Sequence, residues 1–383
     1  GKAFMSYYLP TLKDLMQKAR LSFRANLKGS DASVWPNNVY VSAKVLAGAL
    51  FELFGFAAYI KKQIFAHQAP DLDSLGMHGT EYSIPQKPAG PASGNYVISV
   101  TDNIVVETNA VLQRTDGLEF LVTTGGTLST SGTLNVPIIA AIDGAIGNCE
   151  PNTPLDMVSG FSTTSSTPPT GQVDSNGLTL GTDVEDIESW RARILFRKRN
   201  PPHGGSAADY VMWAGQVAGV SFFLDRPTVY VERLWLGPGT VRVFPLMYDL
   251  YANGIPQASD VQRVQDYIET LRPAGAKVTV AAPQPVVVNV TIAGLQPNTA
   301  DVQEAVLAEL KDCFFRLSRP AGGDDAFGSM PYLASPFSFS LSWIWQSVAN
   351  ATGEQRHRIV SPSADIALQA GQMAVLGSVT FTT

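Results

Sequence analysis

The chain has few charged residues, and no excess of either sign large enough to define a class of partner. Only 16% of its 383 residues are charged, against roughly 25% in an average globular protein. Lysine and arginine number 27 against 33 acidic residues, which gives a net charge of −6. A chain without a basic excess lacks the electrostatic footprint of a general nucleic-acid binder. The sequence therefore predicts no nucleic-acid partner, and its sparsely charged surface favours cover by other proteins.

Cysteine and histidine are too scarce to build a disulfide scaffold or a metal site. The two cysteines, Cys149 and Cys313, lie 164 positions apart, and the four histidines are scattered along the chain. Asp324 and Asp325 stand in a glycine-rich loop, but that loop lacks the alternating acids of calcium-binding loops. A calcium site there is the minor alternative, and we predict no metal and no cofactor.

Catalytic motifs are equally scarce. The chain contains no GxSxG nucleophile motif and no GxxxxGK[ST] phosphate loop. The string His203-Gly204-Gly205 lacks a nucleophile motif downstream, so it predicts a turn before a helix that starts at Ala207. Gly237-Pro238-Gly239 predicts a hairpin turn. We assign no catalytic residue, and the sequence predicts a protein that is not an enzyme.

One apolar run imitates a membrane span. It extends from Val45 to Ile60, is 16 residues long and carries Glu52 near its middle. A spanning helix needs about 20 apolar residues, and a central acid is costly in lipid. We expect a helix buried against other helices, so no membrane partner is predicted. No secretory signal is visible, and residues 1–4, which precede Met5, enter no fold argument.

Two N-terminal helices are predicted from apolar residues that recur at three- and four-residue steps. The first runs from Pro10 to Leu27, and the second covers 38–65. The second is apolar nearly all round, so partner helices or the following domain must cover it on more than one side. A short third helix is predicted at 71–81. The residues that we expect in a helical-bundle interface are Leu12, Leu15, Ala19, Phe23, Val45, Ala49, Leu53 and Phe56.

Beyond the helices the hydrophobic period changes to two, which indicates antiparallel strands. The predicted fold class is multidomain α+β, with an N-terminal helical segment at 1–85 and a β domain at 86–178. A Ser/Thr/Pro-rich loop or linker at 159–177 is expected to end the β domain. Two α+β modules follow at 179–283 and 284–383. Their predicted helices cover 183–199, 207–216, 261–271, 302–317 and 337–348, and their strands 240–244, 277–281, 286–292, 358–360 and 375–380.

Several stretches of the second half resemble one known family. They are GTDVEDIESWRARI from Gly181, Gly204-Gly205, and DYVMWAGQVAGV from Asp209. These are similar to the central motif of baseplate J-like proteins, which are wedge subunits of the baseplate in contractile-tailed bacteriophages such as Mu-like phages. The blocks GPGTVRV from Gly237 and RPAGAKVTVAAP from Arg272 extend the match. The resemblance covers nearly the whole chain and is most specific from residue 181 onward.

The resemblance implies a structural role in an assembly. The implied partners are a second copy of the chain, a second wedge protein, neighbouring wedges, and the hub and sheath-initiator proteins. The N-terminal helices would share a bundle, and the wedges would close a ring around the central hub that rearranges to trigger sheath contraction. The implied location is the tail baseplate of the virion, assembled in the cytoplasm of the host bacterium. An alternative from another class stays open, a cell-surface polysaccharide hydrolase or binding protein of a tail.

The helix predicted at 183–199 is a weaker candidate for a ring contact. Acids at its start and bases at its end both interact favourably with the helix dipole, so the basic run needs no nucleic acid to explain it. Aromatic residues and arginine are also what interfaces favour. The residues expected in this contact are Trp190, Arg191, Arg193 and Arg197.

Overall fold

A computed structural model of the chain describes residues 9–29, 34–35, 37–164, 169–325 and 330–382. The chain divides into two compact units, residues 1–81 and residues 82–383. The first unit is helical, as predicted, and in its described part consists of α1 (Leu12–Asn26), α2 (Asn38–Gln63) and α3 (Leu72–Glu81).

Side-chain caps fix where these helices begin. Thr11 and Asp14 form a capping box, in which the Asp14 N–H donates to Thr11 Oγ1 at 3.2 Å and the Thr11 N–H donates to the Asp14 carboxylate at 3.0 Å. Asn37 starts α2 by accepting the Val39 N–H at 3.0 Å. The Tyr59 hydroxyl donates to Asp71 at 2.6 Å and so ties α2 to the start of α3. These local bonds explain why the predicted starts agree with the observed ones.

The second unit opens with a closed antiparallel barrel. Its strands follow the order β3-β5-β1-β7-β6-β2, and β2 pairs again with β3, so the six strands close on themselves while β4 extends β2. Closure removes the free edges that would otherwise pair with other chains. Tyr96, Ile98, Leu112 and Phe120 fill the interior. The strands are β1 (Pro91–Val100), β2 (Ile104–Gln113), β3 (Glu119–Val122), β4 (Gly126–Leu128), β5 (Gly132–Asp143), β6 (Pro154–Thr163) and β7 (Thr170–Val173).

The prediction of a loop or linker at 159–177 is wrong for much of this stretch, because parts of two strands lie within it. The end of β6 reaches Thr163, and β7 lies between β1 and β6 in the barrel. The composition lacks the apolar alternation of a strand, but neighbouring strands supply the hydrogen bonds that hold it extended. Residues 165–168 of the same stretch lie outside the described residues.

Two small α+β modules follow the barrel, which confirms the predicted fold class. Each is built on a three-stranded sheet, of order β10-β9-β8 in the first and β13-β11-β15 in the second. Strand β8 is the one element of the first module that the sequence did not predict. The elements are α4 (Ile187–Arg199), α5 (Ala207–Gln216), β8 (Val229–Arg233), β9 (Thr240–Pro245), α6 (Ala258–Leu271), β10 (Lys277–Val280), β11 (Gln284–Gln296), α7 (Ala300–Leu317), β12 (Ser338–Phe339), α8 (Leu341–Asn350), β13 (Arg356–Ser361), β14 (Ile366–Ala367) and β15 (Gln372–Thr382).

The two modules are interlocked, because a segment after α7 packs on the sheet of the first module. The Val231 N–H donates to the Tyr332 carbonyl at 2.9 Å, and the Ala334 N–H donates to the Val231 carbonyl at 2.8 Å. Asp324 accepts two bonds from the Arg233 guanidinium at 2.8 and 2.9 Å. This carboxylate therefore anchors the crossing segment to the sheet of the first module.

Both predicted glycine turns are confirmed. Ser206 caps α5, and the buried Asp209 carboxylate accepts backbone N–H bonds from Gly205 and Ser206, each at 2.8 Å. Burial alone would raise the pKa of Asp209, but these bonds outweigh it and hold the pKa below its ordinary value. Gly237 and Gly239 both have positive φ in the hairpin between β8 and β9.

Candidate assembly surfaces

One face of α2 is covered by α1. The two helices pack against each other, and their buried residues are Leu15 and Ala19 of α1 with Ala43 and Ala47 of α2. Small residues on α2 allow the helices to approach closely. Leu15 and Ala19, both predicted in a helical-bundle interface, therefore pack within the chain, between α1 and α2.

The opposite face of α2 is an uncovered apolar stripe. Val45, Ala49, Leu53 and Phe56 follow one another at steps of four, four and three residues, which places them on one side of the helix. The exposed fractions are 67% for Val45 and 61% for both Leu53 and Phe56. We call these four residues the α2 stripe. Of the other predicted bundle residues, Leu12 is exposed and Phe23 is half-buried.

The α2 helix is also long and apolar enough to cross a membrane, judged by length and composition alone. Only 11% of its most apolar window is buried in the chain. The expectation that this helix is buried against other helices is therefore not met by the chain's own residues. An apolar surface of this size on a folded protein indicates a contact with another molecule.

The residues predicted for a ring contact on α4 lie mostly inside the second unit. Trp190 is 6% exposed, and its indole N–H donates to the Ile84 carbonyl at 2.8 Å. Arg193 is 1% exposed and donates to Glu185 and to the Pro85 carbonyl. Arg191 is also buried, beside Glu188, whereas Arg197 is half-buried. The first three are corrected to interior residues, because the segment before the barrel covers this side of α4.

A buried charged cluster joins that segment to α4 and α5. The Lys87 ammonium donates to the carbonyls of Gly215, Val217 and Val220 at 3.0, 3.2 and 2.8 Å, and lies 3.8 Å from Glu185. Glu185 in turn accepts from Arg193, and its side chain is only 2% exposed. We call Lys87, Glu185 and Arg193 the buried triad. No local pattern predicts the triad, because Lys87 stands alone in a proline-rich stretch about a hundred residues away from the other two.

The triad predicts that stability rises with pH on the alkaline side. Burial lowers the pKa of Lys87 to about 8 from its ordinary 10.5. The unfolded chain therefore binds more protons than the folded one between these values, so unfolding becomes harder as the pH increases through that window. Between about pH 7.5 and about pH 9.5 we expect the free energy of unfolding of the wild type to rise by about 2 kcal/mol more than that of Lys87→Met.

Chemical denaturation of the wild type and of Lys87→Met at both pH values measures this difference. Subtracting the variant removes the contributions of all other titrating groups. A difference between the two proteins that does not change with pH would contradict the prediction.

The described residues contain no group of three or more histidine, cysteine or acidic residues placed to hold a metal ion. Both cysteines are free and buried. Burial raises the pKa of the Cys149 thiol, which disfavours the reactive thiolate.

Comparisons with known proteins agree with this architecture. A family model described as the baseplate J-like central domain matches residues 202–282, and one described as the baseplate J-like protein barrel domain matches residues 95–172. The chain is 31% identical over 284 residues to the Escherichia coli K12 protein JayE, covering 74% of this chain and 97% of that protein. It is 30% identical over 340 residues to baseplate protein gp47 of Escherichia phage Mu, covering 83% and 88% of the two chains.

A third relative spans almost the full length of both proteins. The Mu-like prophage FluMu protein gp47 of Haemophilus influenzae is 27% identical over 389 aligned residues, covering 98% of this chain and 99% of its own. Among solved structures, a chain of the anti-feeding prophage baseplate, determined by cryo-EM with 6-fold symmetry, covers 97% of this chain at 9% identity and a TM-score of 0.43. The observed barrel and the first α+β module lie where the two family models match, and the chain belongs to the baseplate J-like protein family, the structural proteins of bacteriophage tail baseplates.

Proposed function

We propose that the chain is a non-enzymatic wedge subunit in the baseplate of a contractile phage tail. Its N-terminal helices join those of a second copy and of a second wedge protein in one bundle. The observation that carries this proposal is the α2 stripe, where Val45, Leu53 and Phe56 are each more than half exposed although α1 already covers the opposite face.

A helix that is apolar on two opposite faces needs cover on both, and helix bundles provide it. Within the chain, α1 supplies one neighbour through Leu15 and Ala19. Further helices from other chains would complete the bundle. Protein is a better cover than lipid here, because Glu52 is exposed near the middle of α2 and a charge at that depth is costly in a bilayer.

The second unit would form the ring of wedges around the central hub and relay the change that triggers sheath contraction. Two features support this part of the proposal. The barrel and the two modules form one compact unit, and the buried triad fixes the segment before the barrel to α4 and α5. A rigid unit of this kind transmits a rotation at one contact to another. Arg197, half-buried on α4, stays a proposed ring residue. The hub and sheath-initiator proteins are the further proposed partners.

Co-production of the full chain with the products of neighbouring tail genes tests the proposal. Alone, the chain is expected to self-associate through the α2 stripe, because exposed apolar surface drives association. With its wedge partner it is expected to form a complex of defined stoichiometry, measured by size-exclusion chromatography with light scattering. A compact monomer that never binds any of those products would overturn the proposal.

A further inference from the structure

A pocket of about 340 Å³ lies beside the end of α4 in the second unit. Its floor is apolar and includes the buried Phe222, whereas Leu224 at its rim is 50% exposed. We call it the arginine pocket, because Arg199 and Arg226 both line it. The basic run that ends α4 thus borders a concave apolar surface.

Neither of the two arginines has its positive charge neutralised by an ion pair within the described part of the chain. The Arg226 guanidinium carbon lies 3.6, 4.5 and 5.0 Å from the ring centres of Phe315, Tyr248 and Phe223, which hold it by cation–π contacts. Its Nη2 atom is buried and has no hydrogen-bond partner. Over the ranges that the structure describes, no ion pair is formed by Arg199 or Arg226. Asp225 also lines the pocket and offsets one of the two charges, so the site keeps a net positive charge.

A pocket with this lining favours a carboxylate that stands next to aliphatic side chains. Guanidinium groups bind carboxylates through short, directed hydrogen bonds. An apolar floor adds affinity for a neighbouring aliphatic group, which leaves water when it binds. An isolated anion would leave the floor uncovered.

The chain itself exposes such a surface at the end of the barrel. Ile142, Ile146 and Val184 are 58%, 62% and 58% exposed. Asp143 and Asp183 are exposed among them. The Ala145 N–H donates to Asp183 at 2.9 Å, and this bond joins segments 142–146 and 183–184 into one surface. We call these five residues the acidic turn. It presents carboxylates beside aliphatic side chains, the combination that the arginine pocket favours.

We infer that the arginine pocket receives the acidic turn of a second copy of the chain. The inference rests on the proposed function, because the proposed ring brings copies side by side. Charge complementarity selects the occupant, since a positive apolar pocket and a negative aliphatic surface occur on the same unit and neither is covered. In a symmetric pair each copy would contribute one pocket and one turn, whereas in a ring each pocket would receive the turn of the next copy.

Disulfide cross-linking of the full chain, co-produced with its wedge partner, tests this contact. Leu224→Cys places a thiol at the rim of the pocket, and Ile146→Cys places one on the acidic turn. The native cysteines are both buried and do not interfere. We expect a linked dimer of this chain when the two variants are mixed and oxidised, and none from either variant alone.

A charge exchange tests the electrostatic part. Adding Arg199→Glu to the pocket variant should lower the yield of the linked dimer about fivefold, as expected for one partly exposed ion pair. Adding Asp143→Lys to the other variant should restore it. Arg199 and Asp143 are both exposed, so neither change should affect folding.

Two results would overturn the inference. One is the absence of the linked dimer in the mixture while both variants still elute in the same complex as the wild type, which would leave the proposed function standing. The other is a disulfide from Leu224→Cys to a cysteine of the wedge partner, which would assign the pocket to that protein.

Discussion

Replacing Leu53 and Phe56 together by glutamate is expected to abolish the complex with the wedge partner while leaving the chain folded. Both side chains are 61% exposed and belong to the α2 stripe. Large apolar residues at the centre of an interface each contribute about 2 kcal/mol or more. Two of them together correspond to a binding constant about a thousandfold weaker. Titration of the purified chain with its partner, followed by light scattering, measures the change.

Lys44→Glu is the matched control for this pair. It changes the net charge by the same two units as the double variant, lies on the same helix and is exposed. It does not belong to the α2 stripe, so its complex should keep nearly the wild-type affinity. Circular dichroism should show unchanged helicity in all three proteins. A double variant that binds as tightly as the control would mean that the stripe meets no partner.

The helices of the first unit could be predicted from the sequence, because their signals are local. Thr11, Asp14 and Asn37 cap the helices within a few residues of their starts. Which face of α2 packs against α1 and which stays exposed could not be predicted in the same way. A helix that is apolar nearly all round has no single stripe, and α1 selects the side with Ala43 and Ala47 only once the two helices pack. That choice leaves Val45, Leu53 and Phe56 exposed.

The predictions that were wrong in the second unit share a cause. The burial of the α4 side chains and the formation of β7 are decided by residues that are distant in sequence. The charges at the ends of α4 correctly indicated a helix, but the burial of Arg193 depends on Glu185 and on the backbone of Pro85, a residue far away in sequence. Strand β7 likewise depends on pairing with β1 and β6 rather than on its own composition. Non-local contacts of this kind leave no periodic pattern in the chain.

Removing the carboxylate of Glu185 is expected to destabilise the second unit strongly. Glu185 accepts from Arg193 Nε at 2.6 Å, from a second nitrogen of the same guanidinium, and from the Lys87 N–H at 3.0 Å. Glu185→Ala would leave two buried cations without an anion. Breaking a buried pair in this way costs about 3–5 kcal/mol. We expect a midpoint of thermal unfolding about 10 °C lower, measured by calorimetry.

Glu188→Ala provides the comparison, since it removes the same group nearby. The Glu188 side chain is 68% exposed and pairs with Arg191 at 3.1 Å. Because the Glu188 carboxylate is open to solvent, water screens its pair with the buried Arg191, and the pair contributes less than a fully buried one. This variant should therefore unfold closer to the wild-type midpoint than Glu185→Ala. An equal fall of the unfolding midpoint in the two variants would show that the triad contributes no more to stability than the pair of Glu188 and Arg191.

Because the cost comes from unpaired buried charges, the stability lost in Glu185→Ala should be recovered when the charges of Lys87 and Arg193 are removed as well. In the triple variant Lys87→Met, Glu185→Leu and Arg193→Met no buried charge of the triad is left unpaired, and apolar side chains of similar length fill the space. Such replacements of a whole buried charged group are often neutral for stability. The triple variant should therefore unfold at a higher temperature than Glu185→Ala. If it unfolds lower still, the triad stabilises the unit through its hydrogen bonds to the carbonyls of Gly215, Val217 and Val220 rather than through its balance of charge.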